Sequence, residues 1–174
     1  MSVWGKREAV ASIIGTLADY VDVPFVPGSE TLVAYLQTQY YYIHGASFIY
    51  PDKADPVELS AGNGAWDITG AKTEIIPVNT ITKPFDLHWI NCSGISGNGH
   101  LVIDIYSGLL GAEVLIGSID IFRNAVQSQE GARAIQIPQQ PANTRISCRL
   151  SDSTAGALTC SVKFSGHVYS NSLS

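Results

Sequence analysis

The spacing of apolar residues changes period at Gly45. Before it, Val10, Ile13, Ile14, Leu17 and Val21 recur at the three- and four-residue steps of one helix face. Gly15 weakens that helix, and the segment Val23-Pro24-Phe25-Val26-Pro27-Gly28 ends it. Ser29 is placed to cap a second helix, with Glu30 in its first turn where the helix dipole favours an anion. Leu32, Val33, Tyr35, Leu36, Tyr40 and Ile43 continue the helical spacing, although the run Tyr40-Tyr41-Tyr42 equally suits extended chain. The chain therefore divides into an arm of one or two helices, residues 1–44, and a second domain, residues 45–174.

Beyond Gly45 the side chains alternate in short runs separated by Gly, Pro, Asn and Asp. Strands are expected over residues 48–50, 57–59, 65–68, 74–76, 85–90, 101–106 and 134–137. Within 113–122, Val114 and Ile116 share one phase, whereas Ile119 and Ile121 share the other, so a bulge is expected near Gly117. In the last part, Ile146, Cys148 and Leu150 alternate with Arg145, Ser147 and Arg149. Leu158, Cys160, Val162 and Phe164 alternate with Thr159, Ser161, Lys163 and Ser165. Joined as a hairpin, these two strands turn their apolar faces to one side and set Cys148 opposite Cys160. Nothing alternates strand with helix. The pattern thus predicts an all-β fold, an antiparallel β-sandwich of jelly-roll or Greek-key type with an N-terminal α-helical arm.

Composition bears on what such a domain meets. Of 174 residues, 45% are hydrophobic and only 14% charged, against about 25% charged in ordinary soluble domains. A surface so poor in charge is expected to be partly covered by protein partners. The net charge of -5 argues against a nucleic-acid ligand, which needs clustered Lys and Arg. The acidity is concentrated early, with three basic residues against seven acidic ones in residues 1–60. No run is long enough to cross a membrane as a helix, and residues 6–19 lack the layout of a signal peptide.

Candidate chemistry is sparse. Cys92, Cys148 and Cys160 lack the spacing of a zinc or redox motif. Opposed cysteines in the final hairpin lie within reach of a bond, but buried free thiols are the expected state in a reducing compartment. His44, His88, His100 and His167 are scattered, with His88 and His167 in the polar phase of their strands. A metal site would require the fold to bring two of them together near Asp86 or Asp104, and none is expected. No nucleophile elbow or phosphate loop occurs, and the spacing of Asp86, Asp104, Glu113 and Asp120 shows no paired-carboxylate pattern. No enzyme activity, catalytic residue or cofactor is expected. Trp66 and Trp89, on predicted strands, are expected in the core. Trp4 precedes the amphipathic arm; it either anchors on a partner subunit or folds back on its own sandwich. The expected subunit contacts are Trp4, Val10, Ile13, Ile14, Leu17, Val21, Tyr35 and Tyr40.

Several segments resemble structural proteins of tailed bacteriophages. They are residues 42–51 (YIHGASFIYP), Gly64-Ala65-Trp66, Glu74-Ile75-Ile76-Pro77, Phe85-Asp86-Leu87-His88-Trp89 and Pro141-Ala142-Asn143-Thr144-Arg145-Ile146. The likeness spans residues 40–169. It implies a virion component assembled in the host cytoplasm: a capsid decoration, or cement, protein that binds the major capsid protein or other virion proteins. A homo-oligomer, with a trimer as first expectation, follows by analogy with other cement proteins. The alternatives are a neck or tail component, or a receptor- or carbohydrate-binding module of the virion.

Overall fold

The computed structural model describes residues 45–52 and 54–169, and all statements of structure concern these. Nine strands follow one another: β1 (Ala46–Tyr50), β2 (Val57–Ser60), β3 (Thr73–Ile76), β4 (Phe85–Ser93), β5 (Gly99–Ser107), β6 (Val114–Arg123), β7 (Gly131–Gln140), β8 (Ile146–Asp152) and β9 (Thr159–Val168). Among the described residues there is no helix. The eight arm residues named above as subunit contacts lie outside the described residues.

The strands form two sheets. One runs β1-β9-β4-β7, with β2 also paired to β9; the other runs β3-β8-β5-β6. The strand pairings of both are antiparallel, as in β4 with β9 and β5 with β8. The inward residues of both sheets make one apolar cluster, including Phe85, Leu87, Ile90 and Phe164 from the first and Leu101, Ile103, Ile146 and Leu150 from the second. The fully buried side chains each contribute about 1.5–3 kcal/mol of transfer free energy.

The bulge expected near Gly117 is present. Ile105 pairs with Gly117 and Tyr106 with Leu115, so Ile116 is the extra residue that reverses the phase of β6. Three other expectations need correction. First, β8 and β9 are not a hairpin: β8 pairs with β3 and β5, and β9 with β2 and β4. Their apolar faces meet across the core from opposite sheets. Second, residues 65–68 form a turn-rich loop, not a strand; Trp66 has a φ of 56° and is 44% exposed. Third, Trp89 is 48% exposed, whereas Ile90 is fully buried. In β4, Leu87 pairs with Gly166 and Trp89 with Ser165, so two steps on β4 match one on β9. This second bulge shifts the inward phase from Leu87 to Ile90 and leaves both His88 and Trp89 outside. In addition, β7 continues through Pro138 to Gln140, beyond the predicted end at 137. As an edge strand it tolerates a residue without an N–H.

All three cysteines are buried and free. Burial pushes the Cys148 thiol up. A hydrogen bond with Cys160, followed by burial, does the same to Cys92. The same hydrogen bond, accepted from Cys92, holds the Cys160 thiol below its ordinary value, and all three thiols pack within the apolar core.

Candidate functional site

The bulge in β4 and the register of β9 assemble a cluster on the outward face of their sheet. Asp86 pairs directly with His167 across the two strands. His88 lies two residues along from Asp86, where the alternation of a strand returns a side chain to the same face. The pairing depends on Gly166: a Cβ there would overlap the Asp86 carbonyl and come within 3.1 Å of the Leu87 Cα. Only a glycine lets β9 approach the bulged strand this closely.

Asp86 is the hub. Its Oδ2 lies 2.8 Å from His88 Nε2 and also accepts a hydrogen bond from the Tyr169 hydroxyl. Its Oδ1 accepts the His167 backbone N–H at 2.9 Å. The Nδ1 atom of His167 lies 3.6 Å from the same oxygen, too far to be hydrogen-bonded, and is buried without a partner. The two imidazoles meet edge to face, with ring centroids 4.6 Å apart. One donor atom from each of Asp86, His88 and His167 lies within 4.8 Å of the others. Burial works against the Asp86 carboxylate, but the hydrogen bonds from Tyr169, His88 and the His167 N–H outweigh it and hold its pKa below the ordinary value. Tyr169 is pushed up to about 12 by burial, by its hydrogen bond to Asp86 and by that residue's charge.

His44 lies outside the described residues, and the remaining described His and carboxylate candidates separate onto the outside of the other sheet. Asp104 accepts from Arg149 at 2.8 Å and Ser118 at 3.0 Å. His100 lies 3.2 Å from Asp120 and packs edge to face on Trp66 at 5.3 Å. Glu113 joins Arg145 at 2.9 Å and Lys72 at 3.3 Å, while Arg145 also reaches Glu74 and Lys72 stands 4.1 Å over the Tyr106 ring. These are ion pairs that pin the loop before β3 and the turn before β6 to the sheet. A cleft of about 560 Å³ beside β7 is lined by Asp120, Gln129, Glu130 and Arg133 among others, with no residue of the histidine cluster.

A different kind of feature occupies the turn between β5 and β6. Leu109 is 67% and Leu110 80% exposed, and Val114 and Leu115 at the start of β6 are also exposed. β6 is an edge strand. Four large apolar side chains, close together in the chain, are thus exposed in the turn before and at the start of a strand with one unpaired edge.

Alternation along each strand predicts the outward phase of His88 and His167 but not their meeting. A β8–β9 hairpin keeps them apart, and only the β4–β9 register brings Asp86 to His167. The usable signal was the Asp86-x-His88 spacing on one strand. In comparisons with known proteins, no family model matches the chain and no curated protein matches it.

Proposed function

We propose that this chain is a structural, non-enzymatic component of a tailed-bacteriophage virion, a decoration protein that binds across subunits of the capsid shell. The observation that carries this reading is the apolar tip at Leu109, Leu110, Val114 and Leu115, exposed on a chain with little surface charge. Such a tip gains stability when a neighbouring subunit covers it. The segments likened above to phage structural proteins supply the virion context. The strand order adds support: one sheet holds β1 and β2, β9, β4 and β7, and the other β3, β8, β5 and β6. This interleaving supports the jelly-roll reading, an architecture used in viral capsids and in lectins. Homo-oligomerisation, with a trimer as the first expectation, multiplies weak contacts through avidity.

The test is sedimentation of the full chain with phage shells that lack it. The wild-type protein is expected to pellet with the shells. Changing Leu109 and Leu110 to Ser is expected to weaken binding by about tenfold per leucine, the equivalent of losing burial of one such side chain. Failure of the wild-type protein to bind any shell removes the decoration reading. Copy number on the particle then separates shell from neck or tail: on the order of hundreds for a shell protein, roughly six or twelve for a ring.

The exposed Trp89 favours carbohydrate recognition as a second reading, because an indole face stacks on sugars. Glycan binding that Trp89→Ala abolishes, in a protein that ignores shells, would select it.

A further inference from the structure

We propose that Asp86, His88 and His167 form a binding site for a divalent transition-metal ion of the zinc type. The inference is independent of the virion reading. Three observations carry it.

First, the donor set is right. Two imidazole nitrogens and a carboxylate oxygen suit Zn²⁺, which takes nitrogen and oxygen ligands at about 2.0–2.2 Å. In a tetrahedral site such ligands stand about 3.3 Å from one another. Here His88 Nε2 is 2.8 Å and His167 Nδ1 3.6 Å from the carboxylate oxygens they face, and no pair in the triad is more than 4.8 Å apart. Small side-chain rotations close the site.

Second, hydrogen bonding within the protein leaves the cluster incomplete. The two carboxylate oxygens already take the Tyr169 hydroxyl, the His88 ring and the His167 N–H. His167 Nδ1 is left buried beside them with no partner. A buried polar atom without a partner is costly. A cation among the three donors satisfies it and gives the negative Asp86 a counter-charge.

Third, the supports are already in place. Tyr169 and the His167 N–H orient the Asp86 carboxylate, as outer hydrogen bonds orient metal ligands elsewhere. His88 is half exposed, so the ion has a path in and a fourth position for water. The ligands come from β4 and β9, so the bound ion clips the end of β9 to its neighbour.

The experiment is calorimetric titration of the chelator-treated full chain with ZnCl₂, repeated with CoCl₂ to read the visible absorption of a nitrogen- and oxygen-ligated site. One ion per chain is expected, with a rise in melting temperature. His88→Ala and His167→Ala are each expected to weaken binding at least about tenfold, and His100→Ala, on the other sheet, to leave it unchanged. His88 is exposed, so its variant is expected to keep the wild-type circular dichroism. No zinc uptake by the wild-type chain, or uptake kept by both the His88 and the His167 variants, overturns the proposal.

Discussion

At the scale of single residues, the outward cluster rests on a glycine that bears no chemistry. Gly166 is where β9 crosses closest to the β4 backbone, and the atoms it faces are main chain, which cannot rotate away. Gly166→Ala is therefore expected to cost at least about 2 kcal/mol, measured by urea unfolding. A near-neutral result would mean that the strands do not approach this closely. Glu113 makes a second argument at this scale. Burial opposes its ionisation, but hydrogen bonds from its own N–H, from Arg145 and Lys72 and from the Gly111 N–H bring its pKa from 4.5 to about 2. A carboxylate with a depressed folded-state pKa contributes stability that is complete above its unfolded value and is lost as pH falls. The window here is from about pH 4.5 down to about pH 2. Arg145→Gln is expected to destabilise the protein at neutral pH, by a margin that narrows across this window as Glu113 becomes protonated in both proteins. Thermal melts at stepped pH measure the margin; a constant difference would refute the assignment.

At the scale of elements, the two bulges show what a sequence pattern carries and what it does not. The β6 bulge was legible because Gly117 marks the point where the apolar phase reverses. The β4 bulge was not: Leu87, His88, Trp89 and Ile90 contain no glycine or proline, and Trp89 fits the alternation begun by Phe85 and Leu87 as well as Ile90 breaks it. The structure resolves the choice by burying Ile90. Ile90→Ala is expected to cost about 2–5 kcal/mol, whereas Trp89→Ala is expected to cost less than about 1 kcal/mol. The reverse order in denaturant melts would place the bulge elsewhere. The β8–β9 reading failed for a related reason. Alternation says which side of a strand is apolar, not which sheet the strand joins. Two amphipathic strands joined by a short loop read alike as a hairpin or as a crossing between sheets. Asp152 helps to fix the crossing here, accepting from the Thr154 N–H at 2.6 Å and the Leu158 N–H at 3.1 Å. The all-β class and most strands were legible, because turn residues and period-two alternation are local. The histidine cluster was not, because it depends on pairing residues 81 apart in the chain.

At the scale of the whole molecule, the apolar interior and the apolar tip have different roles. The interior is closed and holds the three thiols and the aromatic rings of Phe85 and Phe164. The tip between β5 and β6 is open to solvent, so replacing Leu109 and Leu110 with Ser is expected to leave the melting temperature of the isolated chain nearly unchanged, and, on the proposed decoration role, to weaken shell binding. A large loss of stability would instead mean that the tip packs on its own chain.

The position of β9 also governs when the molecule can come into being. It sits inside its sheet, with β1 and β2 on one flank and β4 on the other, yet it follows all of them in the chain. Until it is made, Phe85, Leu87 and Ile90 have no neighbouring strand on that flank, and β2 has no partner at all among the described strands. Pairings over such spans close late and slowly. A nascent chain that has not yet reached Thr159 therefore carries a split sheet with its greasy side open to water. Synthesis must run nearly to the end of the domain before that surface is sheltered, and until then the exposed apolar face is the part of the chain most open to aggregation.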